Sequence, residues 1–169
     1  MEVIERILTW DRWRGARSVL LFSPLADEPD PLPLLQDAGE RRCFFPRIEG
    51  EALGLYLHHP ECRWITGPHG LREPDPETWE RGTAGDIDLA LIPGLAFDTS
   101  GGRLGRGRGF YDRLLADPSF LGVKAGLCQS WRLLERVPCE ERDIRVDLVI
   151  TPGGIHPAGS MLDKPAERG

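Results

Sequence analysis

Three arginines alternate with glycines in the run Gly102-Arg103-Leu104-Gly105-Arg106-Gly107-Arg108-Gly109, which leads into Phe110-Tyr111-Asp112-Arg113. Glycine lets a backbone come close to an anion and take positive φ, so successive N–H groups can turn inward. Guanidinium groups offer planar forks of donors that match phosphate oxygens. A helix expected from Phe110 through Leu115 adds unpaired N–H groups and a positive dipole end. The chemistry these residues suit is phosphate binding; the competing reading is a flexible basic loop. It is not a Walker A loop, because the Gly-x-x-x-x-Gly-Lys-Ser/Thr order is absent. Asp112 sits just inside the expected helix. A carboxylate there either favours the helix start or holds Mg2+, which takes one or two carboxylates plus substrate phosphates. Asp143, shortly before the last expected strand, is the candidate second ligand. Spacing leaves open whether the two meet.

These residues need a scaffold that brings separate loops together. Compact apolar runs at Ser18–Phe22, Cys43–Phe45, Leu53–Leu57, Ile87–Ile92, Val123–Leu127 and Val146–Ile150 suit strands, with Pro46 expected to stop the second. A helical stripe of Val3, Ile4, Ile7, Leu8 and Trp10 ends near Gly15, and a short helix over Leu32–Ala38 closes at Gly39. Gly67–Gly70 and Glu73–Pro76 suggest surface turns, and Gly101–Gly109 is too rich in glycine for a regular element. Strands alternating with helices indicate an α/β fold. The expectation is a single-domain layered sandwich with a mostly parallel central sheet flanked by helices, Rossmann-like. The domain spans 1–155, and 156–169 form a flexible C-terminal tail.

The chain has 169 residues, 40% hydrophobic and 28% charged, with a formal net charge of −6. That balance argues against general nucleic-acid binding, since no domain-wide basic field exists. An RNA-binding role for the Arg-Gly alternation also lacks nearby stacking aromatics beyond Phe110 and Tyr111. Cys43, Cys62, Cys128 and Cys139 are scattered without a C-x-x-C pair, which suits reduced thiols in a cytoplasmic protein. No apolar run approaches the ~20 residues of a membrane span. The charged start, Met1-Glu2-Val3-Ile4-Glu5-Arg6, is unlike a signal peptide.

Pro93-Gly94-Leu95-Ala96-Phe97-Asp98, followed by Gly102-Arg103-Leu104-Gly105-Arg106-Gly107-Arg108-Gly109-Phe110-Tyr111-Asp112-Arg113, resembles the signature of the 5-formyltetrahydrofolate cyclo-ligase family. Phe22–Glu28 is similar to that family's strand and acidic folate loop, and Phe45-Pro46-Arg47 to its second strand and turn. Gly70-Leu71-Arg72-Glu73-Pro74 resembles its Gly-Ile-x-Glu-Pro, and Val137–Asp147 with Val149-Ile150-Thr151 its closing element. The resemblance implies ATP- and Mg2+-dependent cyclisation of 5-formyltetrahydrofolate to 5,10-methenyltetrahydrofolate. ADP and phosphate are released, through a phosphorylated formyl oxygen. It implies that Arg103, Leu104, Gly105, Arg106, Gly107, Arg108, Gly109, Phe110 and Tyr111 bind ATP. Arg106 to Phe110, with Phe22, Ser23 and Glu28, would face the folate. Asp112 and Asp143 would be the metal ligands, and Arg106 and Tyr111 the catalytic side chains. The implied partners are small molecules bound by a cytoplasmic monomer, without nucleic acid or membrane.

Two departures from the family pattern accompany the resemblance. The family normally opens with a helix carrying a Lys and an Arg one turn apart against the ATP phosphates. This chain starts after that helix, and its first lysine is Lys124. Arg6, Arg12, Arg14 and Arg17 are the candidates to replace that pair. Phe110 stands where the family often has Tyr, which removes one hydroxyl. The alternative to an active enzyme is therefore a paralogue that binds nucleotide or folate without turnover.

Overall fold

The structure is a computed structural model that describes residues 2–159. Two short helices, α1 (Glu2–Leu8) and α2 (Asp11–Gly15), precede β1 (Ser18–Leu20). Then come β2 (Arg42–Glu49), β3 (Ala52–Leu57), β4 (Trp64–Thr66), β5 (Arg72–Pro74) and β6 (Glu80–Gly82). The second half holds β7 (Leu89–Ile92), β8 (Ala96–Asp98), β9 (Arg103–Leu104), α3 (Phe110–Leu115), β10 (Val123–Leu127) and β11 (Leu133–Leu134), closing with β12 (Leu148–Thr151) and β13 (Gly154–Pro157). Eight strands form the main sheet in the order β13-β12-β10-β7-β1-β2-β3-β6. The five central strands from β12 to β2 are parallel, and the antiparallel β13, β3 and β6 complete the two sides.

The strands are apolar on both faces because both faces are covered. Val19, Leu89, Leu91, Leu148 and Ile150 pack with Ile7 of α1 and Trp13 of α2. The alternate residues Leu20, Ala90, Ile92 and Val149 pack with Leu114 and Leu115 of α3 on the opposite face. Neither α1 nor α3 is long enough to be stable alone in water; their apolar faces are held by the sheet. Phe97 of β8 packs against Gly126, where a Cβ would stand 2.4 Å from its ring. This contact docks the small β11-β8-β9 sheet on the large one.

Several local expectations are corrected. β2 runs through Pro46 instead of ending there. Phe44 and Arg42 face β1, whereas the Cys43 carbonyl accepts from His58 N. Pro46 therefore faces the β1 side, beyond the last residue of β1, where no ladder donor is required. The segment 67–76 is not a purely surface turn. It contributes β5 to a hairpin with β4 and buries Glu73 and Asp75. Leu32–Asp37 is a 3-10 helix, and the N-terminal stripe divides into α1 and α2. Arg103 and Leu104, inside the glycine-rich run, pair with Phe97 and Ala96 as a two-residue strand. Residues 156 and 157, assigned to the tail, belong to β13; positions 160–169 lie outside the described residues.

The chain proceeds from β1 to β2 on one side, whereas β7, β10 and β12 lie on the other. Loops leaving β1 and β7 therefore diverge around a crevice at the carboxyl ends of the strands, the usual ligand position in such a sheet. Gly101 anchors the β7 side of this crevice. It has φ +86°, its carbonyl accepts from Val146 N at 2.9 Å, and an added Cβ would lie 2.3 Å from the Val146 oxygen. Gly101→Ala should destabilise the domain by about 1–3 kcal/mol through left-handed strain and overpacking. A lower urea midpoint at unchanged m-value would show this; an unchanged midpoint would contradict it.

Candidate active site

The arginine loop is held at its base by one carboxylate. Asp98 is 2% exposed. Its Oδ1 accepts from Ser100 N (3.0 Å), Ser100 Oγ (2.7 Å) and Gly102 N (2.8 Å), and its Oδ2 from Val137 N (2.9 Å). Burial by itself would raise its pKa, but the donors from Val137, Ser100 and Gly102 outweigh it and hold the carboxyl below the ordinary range. Gly102 must be glycine here, since a Cβ would meet Asp98 Oδ2 at 2.5 Å. The carboxylate thus ties the start of the arginine loop to the segment that carries Pro138 and Asp143.

Beyond this base the chain lines a cleft of about 1290 Å³ with every residue from Arg103 to Arg113. Phe22, Ser23 and Glu28 from the β1 loop line the same cleft, as do Asp112 and Asp143. All the site residues proposed from sequence therefore line one cleft. Arg103 is buried at the floor, its side chain 7% exposed. Its Nη1 donates to the Pro93 carbonyl, its Nη2 lies 3.9 Å from Asp112 Oδ2, and its Nε has no hydrogen-bond partner. Arg113 donates from Nε to the Glu51 carbonyl and from Nη2 to the Arg108 carbonyl, fixing the loop's far end. Gly107 and Gly109 have φ of +90° and +67°, which permits the loop to turn into α3.

The acidic β1 loop closes over the arginines. Glu28 Oε2 accepts from Leu25 N at 2.9 Å, while its Oε1 lies 3.4 Å from Arg106 Nη2. Asp27 Oδ1 pairs with Arg106 Nη2 at 2.9 Å and its Oδ2 with Arg132 Nη2 at 2.9 Å. The Arg132 hydrogen bond, opposed by slight burial and aided by the Arg106 charge, keeps Asp27 below the usual carboxylate range. Tyr111 lies beneath. Burial, reinforced by Glu28 and opposed by Arg103, pushes its phenol far up, so at neutral pH it is a protonated hydroxyl and no general base.

Asp112 Oδ1 accepts from Ile144 N at 3.0 Å, which brings α3 against the residue next to Asp143. Asp143 Oδ2 accepts from Glu140 N at 2.7 Å and orders its own turn. Among the described residues there is no group of three or more His, Cys, Asp or Glu side chains arranged to hold a metal by themselves. Two carboxylates lining the same cleft, beside arginines suited to phosphate, fit the donor set of Mg2+, which keeps waters and substrate oxygens as its other ligands.

The N-terminal arginines stand outside the cleft. Arg6 donates to the Pro152 carbonyl and Arg14 to the Leu8 carbonyl, and none of Arg6, Arg12, Arg14 and Arg17 lines the cleft.

The sequence model described as the 5-formyltetrahydrofolate cyclo-ligase family matches residues 1–152. The chain belongs to that family. It is 34% identical over 148 residues to a 5-formyltetrahydrofolate cyclo-ligase of Mycolicibacterium smegmatis, covering 82% of this chain and 75% of the relative. An Escherichia coli K12 protein of the same name is 30% identical over 157 residues, covering 89% and 86%. A solved structure titled Aquifex aeolicus 5,10-methenyltetrahydrofolate synthetase superposes with a TM-score of 0.82 at 32% identity, covering 99% of this chain and 84% of that one.

Within this cyclo-ligase family member, the sequence does not single out Arg132, and it places Asp27 in the acidic loop Phe22–Glu28 without distinguishing it from its neighbours. No motif surrounds Arg132; only the parallel neighbour relation of β7 and β10 brings its loop to the site. Asp27 carried a faint signal, being next to Glu28 after a buried strand.

The Asp98 geometry makes a prediction about pH. A carboxyl depressed in the folded state stabilises the protein fully above its ordinary value of 3.8, and loses that contribution as pH falls through the lower folded value. Asp98→Asn, which leaves Val137 N facing an amide donor or nothing, should cost about 1–3 kcal/mol at neutral pH. Urea titrations should show the gap from wild type narrowing below pH 3.8. A gap independent of pH would contradict the assignment.

Proposed function

We propose that this chain catalyses the ATP- and Mg2+-dependent cyclisation of 5-formyltetrahydrofolate to 5,10-methenyltetrahydrofolate, releasing ADP and phosphate. The observation that carries the reading is the convergence of the arginine loop, the acidic β1 loop and Asp112 with Asp143 on one cleft. Its volume exceeds the roughly 300–1,000 Å³ of a pocket for one ligand, which favours two substrates side by side. Family membership supplies the reaction class.

In this reading the formyl oxygen attacks the γ-phosphorus of ATP, and the bond to the ADP oxygen breaks. N10 then attacks the activated formyl carbon, the C–N bond closes, phosphate leaves, and N10 loses its proton. Phosphoryl transfer asks a protein mainly for positioning and charge stabilisation. Arg103 and Arg106 supply fork-shaped donors to the phosphoryl oxygens, with Leu104, Gly105, Gly107, Arg108 and Gly109 shaping the loop around the nucleotide. The protonated Tyr111 hydroxyl donates a hydrogen bond at the reacting centre and does not take a proton. Glu28, held by Leu25 N, orients the folate, and Phe22, Ser23 and Phe110 add contact surface. Asp112 and Asp143 would hold Mg2+, which when bound supplies positive charge against the phosphates. The reading carries a cytoplasmic monomer; no helix among the described residues is long and apolar enough to cross a membrane.

A second reading, a paralogue that binds nucleotide or folate without turnover, is favoured by the absence of the N-terminal arginines from the cleft. Formation of methenyltetrahydrofolate, followed by its near-ultraviolet absorbance with ATP and Mg2+ present, separates the two. Arg106→Ala should lower turnover by orders of magnitude, since removal of one strong electrostatic donor costs ~3 kcal/mol of transition-state stabilisation. Arg106→Lys should restore only part, lacking the planar fork. Asp143→Asn should weaken Mg2+-dependent ATP binding more than folate binding. Wild-type protein that binds both substrates yet forms no product would defeat the enzyme and favour the paralogue.

A further inference from the structure

Arg106, the side chain expected to meet the migrating phosphoryl group, is paired with two carboxylates. Its Nη2 is 2.9 Å from Asp27 Oδ1 and 3.4 Å from Glu28 Oε1. An incoming phosphate must take the guanidinium from these carboxylates or share it with them. Asp27 in turn is divided between two arginines, with Arg132 Nη2 2.9 Å from its other oxygen. Arg132 is the fixed member of the group. Its side chain is 13% exposed, its Nη1 donates to the Leu95 carbonyl, and its guanidinium lies 4.6 Å from the Trp131 ring centroid. Asp27 and Arg106 are more exposed, at 44% and 42%, so they are the members with room to move.

We infer that Asp27 is a resting partner for Arg106, and that Arg132 is the positioning residue that sets how strongly Asp27 competes with phosphate for it. The inference rests on the proposed role of Arg106. With Arg132 in place, the Asp27 carboxylate keeps a charged partner after Arg106 leaves, so release strands no ion. Without Arg132, Asp27 has Arg106 as its one arginine and holds it more tightly. Four loops are linked in this way: Leu95 after β7, Arg132 after β10, Asp27 after β1, and Arg106 in the arginine loop. Substrate arrival at one is therefore felt at the others.

The test is calorimetric titration of the whole chain with ATP and Mg2+. Arg106→Ala should weaken binding. Asp27→Asn should tighten it roughly two- to fivefold, the range an exposed ion pair supplies. Arg132→Ala should weaken it by a similar factor, and Arg132→Lys should fall between Arg132→Ala and wild type. A plain change in the cleft's electric field would also give opposite signs for the two charge removals, so each is repeated in the Arg106→Ala background. There both effects should vanish, because nothing remains to be released. Persistence of either effect in that background, or shifts of Asp27→Asn and Arg132→Ala in the same direction, would overturn the tether while leaving the role of Arg106 standing. An Arg106→Ala protein that binds ATP like wild type would overturn both.

Discussion

The Asp98 carboxylate joins the two stretches of chain that make the β7 side of the cleft. Three of its hydrogen bonds shape the turn that launches the arginine loop, and the fourth, from Val137 N, fixes the approach of the segment carrying Asp143. Because it is buried, the carboxylate must be fully satisfied, and its four donors have little geometric freedom. The adjacent Gly101–Val146 contact then leaves no space for a side chain. Loop, closing segment and α3 are consequently assembled as one unit, with Asp112 accepting from Ile144 N on the far side.

The second constraint is electrostatic. An acidic chain concentrates guanidinium groups on one wall of a cleft, and such a concentration opposes itself until an anion arrives. Asp27 and Glu28 offset Arg106, Asp27 also offsets Arg132, and Asp112 approaches Arg103. Of these pairs Arg106–Asp27 is exposed on both sides, and an exposed pair is weak enough for a multiply charged ligand to displace. Arg103 differs from Arg106 in being buried and fixed to a backbone carbonyl, which suits a floor residue rather than a mobile one.

How much of this was legible in the chain depended on the range of the interaction. The strands expected at Val123–Leu127 and Leu53–Leu57 and the helix from Phe110 follow from local apolar pattern and glycine placement, and they form as Val123–Leu127, Ala52–Leu57 and Phe110–Leu115. Pro46 misled because proline ends a strand only when its missing N–H is needed, and neighbour strands decide that. The burial of Glu73 was illegible for a similar reason: it is fixed by Ile48 N and Arg47 of β2, outside its own β4–β5 hairpin, which no local composition announces.

The sequence by itself determined the chemistry of the arginine loop, the family, and the alternation that forces a sheet covered on both faces. Those are properties of residue type and near spacing, where sterics and hydrophobic period act directly. The tertiary structure alone decided that the loops leaving β1 and β7 meet at one crevice, that Asp112 reaches the Asp143 segment, and that Asp27 bridges Arg106 to Arg132 of the loop after β10. Those contacts join residues dozens of positions apart, and their geometry is set by strand order and twist, which the linear pattern does not contain.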